Sequence, residues 1–136
     1  MFDQPLTSPP AGAHRRTFRT VGELAGVRSF AESEARAAGL SDQGVARVVL
    51  AVNEVATNAF EHTAAGCTVT IWAPAGTLVC QIDDDGHFAD PWAGRVRPDT
   101  SAERGHGLLL VNELTDLVRR HSHTGGTTTR LHFDRS

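Results

Sequence analysis

Apolar residues recur along the chain in two rhythms, one of a helix and one of a strand. Thr20-Val21-Gly22-Glu23 fits a capping box, and Leu24, Val27, Phe30 and Ala31 follow at helical spacing. That spacing predicts a helix running to about Ala38, with Gly39 as its C-terminal cap. Ser41 can cap a second helix that runs to about His62. Its residues Val45, Val48, Val49, Val52, Val55, Ala56, Ala59 and Phe60 make one stripe of 3.6-residue period, the face a helix turns to a core. Residues 67–73 and 77–83 read as strands, with Pro74, Ala75 and Gly76 supplying the turn between them. Residues 84–104 are loop-like, and Gly107–Leu117 reads as a third apolar helix. Residues 118–122 and 127–134 then form a closing hairpin across Thr124-Gly125-Gly126. Near the start, residues 15–20 alternate weakly and suit an edge strand.

The strands come mainly in hairpins, and the helices would cover one face. The order therefore predicts an α+β two-layer sandwich rather than a βαβ repeat. Residues 1–14, rich in Pro, Ala, Gly and Ser, read as a flexible N-terminal tail, leaving 15–136 as one domain.

Composition narrows the function classes. Hydrophobic residues make up 40% and charged residues 21%, which is ordinary for a globular domain. A net charge of -3 supplies no basic field for direct nucleic-acid binding. All 13 basic residues are Arg, so neither a Schiff base nor a P-loop lysine is available. Cys67 and Cys80 match no metal spacing and read as small hydrophobes packed inside strands. No apolar run reaches membrane-spanning length and no signal-peptide core stands at the N-terminus, so the expected location is the cytoplasm, away from any membrane.

Four constellations carry candidate chemistry. On the second helix Glu54, Asn58 and His62 are spaced by four and share one face, close to the apolar stripe. Asn offers a neutral carbonyl oxygen to a hard cation such as Mg²⁺, and Glu can accept a proton from a hydroxyl. Taken alone, the pattern reads first as the polar flank of an amphipathic helix. Ile82-Asp83-Asp84-Asp85-Gly86 runs from a strand into an acidic turn, where one acid can accept a hydrogen bond from a ligand amine, unless the turn is simply solvated. Arg104-Gly105-His106-Gly107-Leu108 places two glycines at the opening of the third helix, whose first N–H groups suit phosphate. A flexible helix start would need the same residues. Gly125-Gly126-Thr127 is a good turn in its own right, and its Thr can reach a phosphate.

The order of these four boxes resembles the N, G1, G2 and terminal boxes of the GHKL ATPases, histidine-kinase-like enzymes. Asn53-Glu54-Val55-Ala56-Thr57-Asn58-Ala59-Phe60-Glu61-His62 resembles the short anti-sigma-factor serine/threonine kinases in particular. The resemblance spans roughly residues 15–134. It implies a Bergerat-type ATP-binding fold: a mixed, mostly antiparallel sheet with helices on one face. It implies ATP and Mg²⁺ as cofactors, with Asn58 as the metal ligand and Glu54 as the catalytic base. It further implies that Asp84 and Gly86 bind adenine, that Gly105, His106, Gly107 and Leu108 cradle phosphates, and that Thr127 lies near the nucleotide. Residues 87–104 would be the lid. At one position the chain departs from the family: Phe88 stands where the G1 box usually has its second Gly.

The activity the resemblance implies is phosphoryl transfer to a Ser or Thr of an anti-anti-sigma, STAS-type partner. A sigma factor would be the second partner, held inactive, and a homodimer the assembly. The alternative is a non-catalytic ATP-responsive switch that grips a partner, for which Phe88 is the motive. A histidine-kinase ATPase domain ranks lower, because the chain has no room for a separate phospho-accepting helical domain. A ligand-free interaction domain would not place glycines in these boxes.

Overall fold

The computed structural model describes residues 6–63, 65–85, 111, 113–123 and 125–135. The elements are β1 (His14–Phe18), α1 (Leu24–Ala37), α2 (Asp42–His62), β2 (Cys67–Trp72), β3 (Thr77–Asp84), β4 (Leu117–His123) and β5 (Gly126–Asp134). One five-stranded sheet runs in the order β1-β2-β3-β5-β4. A mixed, mostly antiparallel sheet is expected, and all four pairings among the described strands are antiparallel. The architecture is the α+β, Bergerat-like sandwich.

Local chemistry accounts for the element ends. Glu23 accepts from the backbone N–H of Arg19 at 2.8 Å and of Thr20 at 3.1 Å, the carboxylate half of the capping box. Those two bonds hold its carboxyl below the usual range. A short 3₁₀ turn, Val21–Glu23, opens onto α1 there, so β1 stops at Phe18 rather than reaching Thr20. Helix α1 ends in a Schellman arrangement. Gly39 has φ +87°, its N–H donates to Arg36, and Leu40 donates to Ala35. Ser41 caps α2, its side chain accepting from Gly44 N at 3.1 Å. Arg28 reaches from α1 to Asn53 Oδ1 at 3.0 Å and ties the two helices.

Helix stripes and strand alternation meet in one core. Val27, Phe30, Ala31 and Ala35 of α1 and Val48, Val52, Ala56 and Ala59 of α2 are buried against the inward faces of the strands. Those inward positions are Cys67, Val69 and Ile71 on β2, Leu78, Cys80 and Ile82 on β3, and Leu131 and Phe133 on β5. Both cysteines are free and buried, as small hydrophobes. Of the third helix expected over 107–117, residues 107–110 and 112 lie outside the described set. Val111, Glu113 and Leu114 are helical, and Thr115 N donates to Val111 O at 3.1 Å. Leu117 is already the first residue of β4, which corrects the helix's end. Within the tail expected over 1–14, His14 is the first residue of β1 and Thr7 is hydrogen-bonded to Arg130 of the sheet. Among the described residues no helix is long and apolar enough to cross a membrane.

Candidate functional site

The inward face of the sheet is polar at one end. Alternation from Cys80 and Ile82 puts Asp84, the last residue of β3, on the side that faces the helices. The long-range pairing of β3 with β5 sets Thr127 directly opposite Asp84. Thr127 is buried, and its Oγ1 lies 3.5 Å from Ser122 Oγ on β4. Arg120, two residues before Ser122, shares that face. Burial lowers its guanidinium from the ordinary value, and the Asp84 carboxylate opposes the shift. Asp84 also sits across from Cys67, whose thiol burial pushes up to about 12, with the Asp84 and Asp83 charges adding to the rise.

Gly126 fixes how closely β5 enters this corner. Its φ is +137°, and a Cβ built there would lie 1.9 Å from the carbonyl oxygen of Asp84 and 2.5 Å from the Cα of Asp85. Only glycine allows that approach. The Gly-Gly pair thus does more than turn the hairpin: it lets the Thr127 backbone pack against the end of β3.

Helix α2 borders the same corner. Glu54 and Asn58 lie one turn apart, both half-buried beside the stripe of Ala51 and Val55. Neither side chain hydrogen-bonds another described residue, whereas the side chain of the neighbouring Asn53 is engaged by Arg28. The helix ends at His62, and the next residue, Thr63, donates its hydroxyl to Asp85 Oδ1. That bond joins the end of the helix bearing Asn58 to the end of the strand bearing Asp84.

Of the residues expected to form a site, Glu54, Asn58, Asp84 and Thr127 are therefore borne by elements that meet at one end of the sandwich. Gly86, Gly105, His106, Gly107 and Leu108 lie outside the described residues, as do the lid 87–104 and Phe88. Sequence reasoning overlooked Arg120 and Thr63. Arg120 was legible in principle, because Val118, Arg120 and Ser122 alternate onto one face. Thr63 carried no signal, since its partner is reached only through the fold.

A family model described as a histidine kinase-like ATPase domain matches residues 19–133. The chain belongs to that family. It is also similar to the crystal structure of the RsbU and RsbW domains of Rv1364c from Mycobacterium tuberculosis, with a TM-score of 0.69 and 21% identity. That match covers 92% of this chain and 33% of the other, so this chain spans about a third of the matched protein's length. At such identity the likeness speaks for the fold. No curated protein sequence matches the chain.

Proposed function

We propose that the protein is an ATP-binding anti-sigma regulatory factor that phosphorylates a Ser or Thr of an anti-anti-sigma partner and sequesters a sigma factor. The observation that carries the reading is the pairing of Asp84 with Thr127 on the helix side of the sheet, at the end tied to α2 by Thr63 and Asp85. The donor types fit a magnesium nucleotide. Asp84 is an acceptor for the adenine amine, Asn58 carries a neutral oxygen for Mg²⁺, and neither the Asn58 nor the Glu54 side chain has a described partner. Bound ATP supplies the phosphoryl group and its metal the charge neutralisation.

The chain's own residues then have distinct tasks. Asp84 and Thr127 orient the base. Asn58 holds the metal, and Glu54 accepts the proton that the partner's hydroxyl gives up as it attacks. Gly86, Gly105, His106, Gly107 and Leu108 complete the nucleotide contacts in this reading. The setting is the cytoplasm, and the protein works as a homodimer.

Calorimetric titration with ATP, with and without Mg²⁺, is the first test. Magnesium-dependent binding that Asn58→Ala abolishes is expected; no binding at millimolar ATP overturns the reading. Label transfer from ATP to an anti-anti-sigma protein should be lost in Glu54→Gln, and transfer at the normal rate removes Glu54 from the base role. Phe88 motivates one alternative, a non-catalytic switch. Nucleotide-dependent grip on a partner without label transfer would select it.

A further inference from the structure

The face of the sheet turned away from the helices holds a second polar centre. Arg130 of β5 is only 6% exposed. Its Nε donates to Gln81 Oε1 at 2.9 Å, and its NH2 group donates to the same oxygen. NH1 donates to Thr7 Oγ1 at 3.4 Å and NH2 to the Thr7 carbonyl. The guanidinium carbon stands 5.0 Å from the centre of the Trp72 ring. Every one of these hydrogen-bond acceptors is neutral, and among the described residues no carboxylate forms an ion pair with Arg130. Directly across the β4–β5 ladder stands another cation, Arg119. Like charges in register oppose one another, and a buried guanidinium without a counter-ion is costly. Asp83 lies on the same face and its charge favours the Arg130 guanidinium, but its two oxygens accept from Gln81 Nε2 and from Thr128 Oγ1, so it gives Arg130 no direct ion pair.

Beside Arg130 lies a cavity of about 390 Å³, within the range of small-ligand sites. Gln81, His121, His123, Thr128 and Arg130 line it, and residues 6–9 form its roof. His121 Nδ1 is buried there with no described hydrogen-bond partner. The His123 ring stacks on that of His121, with centroids 5.6 Å apart. Gly125 N donates to His123 Nδ1 at 3.1 Å, so the ring proton sits on Nε2, 3.1 Å from Thr128 Oγ1. Thr128 passes its own proton towards Asp83. His123 is thereby satisfied within the protein, whereas His121 Nδ1 has no described partner and Arg130 donates only to neutral acceptors.

We infer that this cavity is a binding site for a small phosphate- or carboxylate-bearing anion, held by Arg130 and His121 on the face opposite the nucleotide corner. The anion supplies the direct ion pair that Arg130 lacks among its hydrogen-bond acceptors, and a partner for His121 Nδ1. Thr7 and Ser8 line its roof. The inference stands apart from the kinase reading, since it uses the other side of the sheet.

The test is a titration with inorganic phosphate at constant ionic strength. Trp72 fluorescence in a Trp92→Phe background is the readout, because Trp72 packs on Arg130. Saturable quenching or enhancement at millimolar phosphate is expected. Arg130→Gln and His121→Phe should each weaken it about tenfold or more, as loss of a charge-assisted contact does. His121→Phe keeps the ring stack, so it remains informative if Arg130→Gln fails to fold. Asn58→Ala should leave the phosphate response unchanged. A response that is not saturable, that survives His121→Phe intact, or that disappears in Asn58→Ala overturns the assignment, the last by moving the anion to the helix side.

Discussion

Gly126→Ala offers a sharp perturbation of the candidate site, because it adds a single methyl group where the backbone has no room. The native φ of +137° is one that L side chains rarely adopt, and strain of that kind costs about 1–3 kcal/mol. The added Cβ would meet Asp84 O at 1.9 Å, a backbone atom that cannot rotate aside. Relief requires moving the first residues of β5 away from β3, at the Asp84–Thr127 pair. Together these effects should cost about 2–4 kcal/mol. For a chain of this size that corresponds to a fall in Tm of roughly 10 °C, from about 3–5 °C per kcal/mol. Gly125→Ala is the matched control. Its Cβ would meet only the His123 ring, at 3.4 Å, and its backbone is not in the positive-φ region. That change should be neutral to within about 1 kcal/mol. Thermal unfolding followed by circular dichroism measures both. If Gly126→Ala melts within 2–3 °C (about 1 kcal/mol) of the parent, the strand does not approach Asp84 as described. The same variant should weaken ATP binding under the proposed function, and unchanged affinity would mean that Thr127 is not part of that site.

Other outcomes follow from single contacts. Ser41→Ala removes the cap of α2 and should cost about 1 kcal/mol, read from the urea midpoint at constant slope. Cys67, pushed up to about 12, and Cys80, raised further by complete burial, should resist a disulfide reagent at pH 8 in the folded protein and react at once in urea; rapid labelling without denaturant would contradict the core placement. Burial, aided by the nearby Arg130 and Arg119, lowers the pKa of His132 below its ordinary value. The unfolded chain therefore takes up that proton first as pH falls below about 6.5, and stability should drop from there until the pH passes the folded pKa. In His132→Gln this part of the acid sensitivity should vanish, and an identical pH profile would remove His132 as its source.

Much of the fold was legible because its signals are local. The stripes of α1 and α2, the caps at Glu23, Gly39 and Ser41, and the turns at Gly76 and Gly125 each act over a few residues. Where two local signals competed, the boundary moved. The weak alternation of residues 15–20 lost Arg19 and Thr20 to the capping turn, and Leu117 went to β4 because it pairs with His132. Hairpin partners could be inferred from adjacency, but the pairing of β3 with β5 crosses some forty residues of chain and leaves no mark in either strand. The site was legible only as an ordered set of boxes. That Asp84 faces Thr127, with Arg120 beside them, is a property of register. Nor did any pattern announce Arg130 as buried. A cation alternating with Leu131 on β5 reads as solvated, and its burial comes from residues 6–9, distant in sequence.

Register is what joins the two polar centres. Asp84 opposite Thr127 faces the helices, while the next pair along the ladder, Asp83 opposite Thr128, faces the anion cavity. Because successive residues of a strand point to opposite faces, a slip of one residue in β5 could set Thr128 opposite Asp84 and Thr129 opposite Asp83, turning every side chain of β5 to the other face. Thr flanks Thr on both sides of this position, so side-chain identity along 127–129 does little to forbid that slip. The apolar demand of Leu131 and Phe133 for the core resists it from the far end of β5, and the fit of Gly126 under the Asp84 carbonyl resists it at the near end. A substitution at Gly126 should therefore disturb both faces together, the nucleotide corner and the phosphate response of Trp72. Changes confined to one face, Asn58→Ala or His121→Phe, should each leave the other untouched. Independent loss at Gly126, with one face failing and the other intact, would show that the strand bends locally instead of shifting in register.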